Sequence, residues 1–200
     1  MKYFESPFLK LKAKPRHLKD EMNMLYDEIK PVKEFIKGKS VAIVGNAKSL
    51  FDHKFGAEID GHDVVIRFNR GFITQTERQG SKTDIVLLAC ELSLDEKASY
   101  KAKFYVNRSK KTKTGELTIC DGRRRVFRVV LESQPSSGFL AVDLCMTAGA
   151  SKIDLYGFDF EKTPTFYNPA GYQTKHDYAK EKEIMLDLQK RGVLTIHEND

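Results

Sequence analysis

The sequence has no long apolar run; nothing in it approaches the roughly 18–20 consecutive apolar residues of a membrane helix. Its opening stretch, MKYFESPFLKLKAK, lacks the apolar centre of a secretory leader. Cysteine is scarce. Cys90, Cys120 and Cys145 are an odd number with no C-x-x-C spacing, which argues against a disulfide framework and a thiolate zinc site. Cys90 and Cys145 fall in apolar stretches and read as buried free thiols. These absences together predict a cytoplasmic, reducing home. There is no internal repeat and no low-complexity tract. The glycine fingerprint of dinucleotide sites, G-x-G-x-x-G, is also missing: Gly45 is followed by Asn46 and Ala47.

What is present is an ordinary globular composition. The 200 residues suit one domain, and 40% apolar with 31% charged residues suffice for a sizeable core. The net charge is +6, of which +4 lies in residues 1–39, with ten Lys/Arg against six Asp/Glu. A second basic run comprises Arg108, Lys110, Lys111, Lys113, Arg123–Arg125 and Arg128. Such runs can face nucleic acid, anionic lipid or an anionic glycan, or be solvated loops. In residues 1–39, Leu18, Met22, Leu25, Ile29 and Val32 recur near the helical period. That predicts an amphipathic helical segment after Pro15, ending near Gly38 and packed on the core.

From residue 40 onward, short Val/Ile-rich runs alternate with helical patterns. Strands are predicted at 40–45, 63–68, 84–89, 103–106, 126–131, 152–157 and 193–197, and helices near 49–57, 91–101, 138–149 and 176–191. The alternation predicts an α/β domain with a single doubly wound, mostly parallel, Rossmann-like sheet flanked by helices. Residues 107–125 read as an exposed loop or hairpin. Residues 161–175 carry two prolines and a glycine without periodicity, and so read as a lid-like loop.

Two predicted strands end in side-chain amides, Asn46 and Asn69, where open α/β sheets bind ligands. Pro135-Ser136-Ser137-Gly138 opens a helix, with hydroxyls and free N–H groups suited to an anion; the alternative for this segment alone is a plain N-cap by Ser136 or Ser137. Asp159, after the strand 152–157, sits where ribose hydroxyls are bound. Asp159-Phe160-Glu161 imitates a metal-binding Asp-x-Asp, but no further hard oxygen ligands lie nearby, so no metal site is expected. The loop holds Tyr167 and Tyr172 and ends at His176, with Glu181 five residues on.

In order and spacing, these segments resemble the sialyltransferases. The long motif of the animal enzymes is similar to VAIVGNAKSL…GAEIDGHDVVIRFNRG…GSKTD, from Val41 to Asp84. Their short motif is similar to PSSGFLAV…KIDLYGFDF, from Pro135 to Phe160, and their last motif to His176 with Glu181. The Gly-Asn turn, the Arg-x-Asn strand end and the Ser-Gly helix start also resemble bacterial lipooligosaccharide sialyltransferases. The resemblance covers about residues 40–190 and implies a glycosyltransferase-A-like variant without a metal site. Residues 40–200 would be a catalytic domain that binds a CMP-sugar, and residues 1–39 a leading helical segment.

The resemblance further implies that Asn46 and Asn69 contact the CMP moiety. Ser136, Ser137 and Gly138 would hold its base, ribose or phosphate, Asp159 and Phe160 would line the ribose and base, and Glu181 belongs to the substrate-binding set. Tyr167 would bond the departing phosphate and His176 would be the catalytic base. Three features depart from the family pattern. Val41 and Gly149 or Ala150 replace a disulfide pair, which agrees with a cytoplasmic location. Glu161 stands where the bacterial family has a second tyrosine, a role Tyr172 could take over. No anchor or stem is expected, unlike in the secretory-pathway enzymes.

The implied activity is an inverting, metal-independent transfer of an acidic keto sugar, sialic acid or Kdo, from its CMP donor. The acceptor would be a hydroxyl of a surface glycan or glycolipid, as in lipopolysaccharide synthesis, with peripheral contact to the inner face of an anionic membrane. No cofactor beyond the donor is expected, because a single phosphate leaves and N–H groups and hydroxyls can stabilise it. The competing readings are a non-catalytic CMP-binding homologue and a nucleic-acid-binding module. The second leaves Asn46, Asn69, Ser137 and His176 unexplained, so no nucleic-acid partner is expected.

Overall fold

The structure is a computed structural model and describes residues 29–109, 111–119, 121–171 and 174–197. The predicted helix of the first 39 residues therefore lies largely outside the described residues, as do Cys120 and Tyr172.

Seven strands form one fully parallel sheet: β1 (Ser40–Val44), β2 (Val64–Phe68), β3 (Ile85–Leu88), β4 (Phe104–Asn107), β5 (Leu117–Thr118), β6 (Lys152–Tyr156) and β7 (Thr195–His197). The spatial order is β5-β4-β3-β2-β1-β6-β7. The chain winds outward from β1 to one edge and then crosses back to β6. The order therefore reverses between β1 and β6, where Val44 pairs with Tyr156. In doubly wound sheets the crevice beyond that switch point is where ligands bind.

Helices cover both faces. They are α1 (Lys30–Ile36), α2 (Gly56–Asp60), α3 (Thr76–Gln79), α4 (Leu94–Tyr100), α5 (Asp121–Leu131), α6 (Ser137–Ala148) and α7 (Tyr178–Lys190). Because strand side chains alternate, Val41 and Ile43 of β1 pack with α1, α5, α6 and α7, while Ala42 and Val44 pack with Leu50 and Ile59 on the other face. Every residue of β2 and β3 is buried, as a sheet clad on both sides requires. α6 is the central helix. Phe139, Leu140, Ala141, Val142, Leu144 and Cys145 are buried around its whole circumference, and it ends at Gly149 in the left-handed conformation (φ 76°). That terminus explains why a glycine occupies one of the positions matched to the family disulfide.

The described end of the N-terminal segment, α1, inserts Val32 and Ile36 into the main core beside α6. No described helix is long and apolar enough to cross a membrane.

The segment 126–131, predicted as a strand, is the second half of helix α5. Its apolar run has both periods in it. Val126, Phe127 and Leu131 are buried, whereas Val129 is 69% exposed, as a helix demands. Residues 107–125 are accordingly not a loop throughout: they contain β5 and the start of α5. The predicted helix 49–57 is not continuous: it begins as a 3-10 turn, Lys48–Asp52, and α2 starts at Gly56.

Candidate active site

The switch point is built by close backbone approach. Gly45 donates its N–H to the Tyr156 carbonyl (2.7 Å), and Ala47 donates to Gly157 (3.4 Å). A Cβ on Gly45 would lie 2.3 Å from the Gly157 carbonyl oxygen. Gly157 is itself left-handed (φ 68°) and turns the chain so that the Phe158 ring lies against Gly45 and Gly138. A Cβ on Gly138 would be 2.5 Å from Phe158 Cε1. The close approach that Gly138 permits is thus used by Phe158, where the sequence suggested a ligand.

Asn46 and Asn69 are brought together at the strand tips. The Asn46 amide donates to the Phe68 carbonyl (3.2 Å), and the turn after β2 folds over it so tightly that a Cβ on Gly71 would meet Asn46 Oδ1 at 2.2 Å. Asn69 is left-handed (φ 51°), a conformation asparagine tolerates, and its Oδ1 accepts from Ala89 N–H (2.7 Å). Its carbonyl accepts from the Tyr100 hydroxyl (2.9 Å).

At the N-terminus of α6, Ser136 is the N-cap and accepts from Phe139 N–H (3.1 Å). It also donates from both N–H (2.7 Å) and Oγ (2.6 Å) to the two carboxylate oxygens of Glu181. Glu181 is 3% exposed. Burial pushes its carboxyl up to about 7, although the Ser136 bonds and the charge of Arg108 favour the ionised form. Glu181 therefore positions Ser136. Ser137, the first residue of the helix, is half-buried.

His176 precedes the α7 cap, Asp177, and its Nδ1 bonds the Gln134 carbonyl (2.7 Å). A carbonyl only accepts, so Nδ1 carries the proton and Nε2 of the neutral ring is left as a base. Burial lowers the imidazole below its ordinary 6.5, with the Gln134 bond opposing that shift, Arg108 adding to it and Glu161 opposing it. The ring packs edge-on to Tyr178 (5.5 Å).

The loop 161–171 is pinned back over β1. Phe166 N–H donates to the Asn46 carbonyl (3.0 Å), Lys48 N–H donates to Pro164 (3.0 Å), and the Phe166 ring meets Phe51 at 5.0 Å. This places Tyr167 on the same side as Arg70 and Tyr100, near enough for their charges to interact. Asp159 is turned away from that centre. Its Oδ2 accepts from Ser49 Oγ (2.9 Å), Thr163 Oγ1 (2.6 Å) and Thr163 N–H (3.1 Å). It also lines a cavity of about 160 Å³ with Ser49, Lys162 and His197. Phe160 and Glu161 are both left-handed (φ 55° and 71°), and Phe160 packs toward the main core, with the Lys182 ammonium 5.9 Å from its ring. Among the described residues no group of three or more His, Cys, Asp or Glu side chains could hold a metal ion.

Sequence reasoning assigned Arg108 to a basic surface run. It follows β4 directly and is half-buried, with its N–H donating to the Leu88 carbonyl (2.6 Å) and its charge felt by His176, Tyr178 and Glu181. Its position just past a strand end was the available signal. Arg123, from the same run, is interior: it forms a buried ion pair with Asp143 of α6, its Nε 2.6 Å from Oδ2. Gln134, likewise missed, has a buried side-chain oxygen without a partner.

A fully parallel sheet flanked by helices, with polar residues gathered at its strand tips, is a Rossmann-like, glycosyltransferase-A-like architecture. The family model of glycosyltransferase family 29 (sialyltransferase) matches residues 3–124. The chain belongs to that family and is a glycosyltransferase. It is similar to a crystal structure of a mammalian sialyltransferase at 20% identity and TM-score 0.64, covering 98% of this chain and 87% of that one. The same comparison with a mammalian sialyltransferase in complex with Gal-beta-1-3GalNAc-ortho-nitrophenol gives 20% identity and TM-score 0.60, with the same coverage of 98% and 87%. The sialyltransferase CstII from Campylobacter jejuni, in complex with the substrate analogue CMP-3FNeuAc, is 15% identical at TM-score 0.50, covering 79% of this chain and 78% of that one. At such identities the likeness establishes the fold. A search of curated protein sequences gave no match.

Proposed function

We propose that the protein transfers sialic acid from a CMP donor to a hydroxyl of a glycan or glycolipid, with inversion and without a metal. The observation that supports this reading is His176, held by the Gln134 carbonyl as a neutral tautomer with Nε2 as acceptor. Nε2 takes the acceptor proton as the acceptor oxygen bonds to the anomeric carbon. The bond from that carbon to the phosphate oxygen breaks, and CMP leaves with the electron pair. Tyr167 and the Ser136–Gly138 turn stabilise the departing phosphate through hydroxyl and N–H donors. Asn46 and Asn69 hold the nucleotide, and Glu181 acts through Ser136. In this reading residues 40–200 are the catalytic unit.

The base assignment is tested with His176→Ala. Transfer falls about 10²–10⁴-fold while CMP binding persists; near wild-type transfer would overturn the assignment. Activity in EDTA equals that without it, and loss in EDTA with recovery in Mn²⁺ would refute the metal-free step.

A lipid-linked acceptor and a place at the inner face of the membrane extend the same reading. They are supported by the exposed Arg125, Arg128 and Val129 on α5. Sedimentation with anionic vesicles at low salt, reversed at high salt, supports this placement, and no binding at low salt removes it.

A further inference from the structure

Two residues touch the His176 ring directly, and each brings a polar group that the protein leaves unspent. Gln134 meets the imidazole through its backbone carbonyl (2.7 Å from Nδ1) and donates its own N–H to the Lys175 carbonyl (3.1 Å). Its side-chain oxygen is shielded from water and has no partner. Tyr178, the half-buried first residue of α7, sets its ring edge-on to the imidazole, with 5.5 Å between ring centres and 68° between planes. The Tyr178 hydroxyl makes no hydrogen bond with the described residues. Burial pushes it up to about 12, with the charges of Glu181 and Glu161 adding to the shift and Arg108 opposing it. It therefore stays a neutral group that both donates and accepts. The neighbouring serine hydroxyls are already used: Ser133 Oγ accepts from Asp177 N–H (3.2 Å), and Ser136 Oγ donates to Glu181 (2.6 Å). Packing against His176 needs only the ring of Tyr178, so the fold alone gives its hydroxyl no task.

Building on the proposed transfer, we infer that Tyr178 is a specificity residue for the acceptor: its hydroxyl bonds a hydroxyl of the acceptor sugar close to the one that His176 deprotonates. Gln134 occupies Nδ1, so the attacking hydroxyl comes to Nε2. The sugar ring carries its other hydroxyls in with it. A phenol oxygen lies half a ring and one C–O bond from its ring centre. The 5.5 Å between centres therefore keeps the Tyr178 oxygen within about one sugar ring and one hydrogen bond of the imidazole, whichever way the phenol is turned. In an inverting displacement the phosphate departs opposite the attacking oxygen, so a group in contact with the base stands on the acceptor's side. The seat is rigid, because Asp177 caps α7 by accepting from Lys180 N–H (3.0 Å). A site that hydrogen-bonds a substrate hydroxyl rejects the analogue that lacks it, and this is how Tyr178 reads the acceptor.

The test is steady-state transfer by the full chain from CMP-sialic acid to nitrophenyl glycosides of galactose, glucose and N-acetylgalactosamine, for wild type, Tyr178→Phe and Tyr178→Leu. Monodeoxy analogues of the glycoside that wild type uses best complete the set. Tyr178→Phe keeps the ring against His176 and removes only the hydroxyl. It lowers kcat/KM for that glycoside at least about tenfold, chiefly through KM. The KM for CMP-sialic acid and the calorimetric Kd for CMP stay within about twofold, and the acid limb of the pH profile stays where it is. One monodeoxy glycoside costs wild type a similar factor and costs Tyr178→Phe nothing further, the mark of a direct contact. Tyr178→Leu loses the ring contact as well and displaces the acid limb. An unchanged KM for the glycoside in Tyr178→Phe overturns the inference. So does an equal loss of CMP affinity or rise in donor KM, which would put the hydroxyl on the donor. A fall in kcat alone with a displaced acid limb in Tyr178→Phe overturns it too, leaving Tyr178 as a positioning residue for His176. Wild type that hydrolyses CMP-sialic acid yet transfers to none of the glycosides also counts against it. If wild type releases no CMP from CMP-sialic acid with or without a glycoside, it is the underlying transfer reading that fails.

Discussion

Replacing Glu181 with glutamine removes a buried charge without removing the shape that holds Ser136. The carboxyl is 3% exposed and titrates near 7 in the folded protein, against an ordinary 4.5. That difference corresponds to roughly 3 kcal/mol. A carboxyl whose folded value is raised binds its proton more tightly when folded. Its contribution to stability is therefore complete below about pH 4.5 and is lost as pH rises through about 7. Glutamine can accept from Ser136 N–H and donate to Ser136 Oγ, but it does not titrate. In urea unfolding followed at pH 4.5, 6 and 8.5, the stability of Glu181→Gln relative to wild type should rise across the series by about 3 kcal/mol. Other titrating groups cancel in that difference. A relative stability that does not change with pH would refute the account of Glu181 as a desolvated carboxyl positioning Ser136. So would a change of the opposite sign.

Gly45→Ala should be destabilising by about 1–3 kcal/mol, because its methyl would meet the Gly157 carbonyl at 2.3 Å and part the tips of β1 and β6; thermal melting reads this, and CMP binding should weaken as well. Arg123→Ala should cost about 3–5 kcal/mol, since it removes the guanidinium that pairs with the buried Asp143 carboxylate, while an apolar pair at both positions should be much closer to neutral; chemical denaturation of the single and double variants separates the two. The acid limb of kcat/KM should fall below pH 6.5, because burial lowers the His176 imidazole and the base is lost only when it protonates; a limb above pH 7 would contradict the placement of His176.

The sheet was legible in the sequence because its strands are short, doubly buried Val/Ile runs, which only a parallel sheet clad on both faces accommodates. The helix α6 was legible from Ser136 and the apolar run behind it. The strand predicted at 126–131 failed because VFRVV satisfies both periods and no local signal marks Val129 as exposed; burial against the core decided it. Asn46, Asn69, Ser136 and His176 were singled out from their places at element ends, and the structure does set each of them at such an end. What the sequence could not show is how their bonds are spent. Glu181 is used on Ser136, Asp159 on Ser49 and Thr163, and Gly138 on the ring of Phe158. Arg108 was hidden among other cations, since charge in a linear run does not reveal which member turns inward.

The central claim is tested most directly by offering the purified chain a panel of donors, CMP-sialic acid, CMP-Kdo, UDP- and GDP-sugars, with glycan and glycolipid acceptors, and following release of the nucleotide and the configuration of the product. The account predicts release of CMP from CMP-sialic acid and an inverted sialoside, lost in His176→Ala. Turnover of only UDP- or GDP-sugars, a retained configuration, or CMP binding without turnover on any acceptor would contradict it.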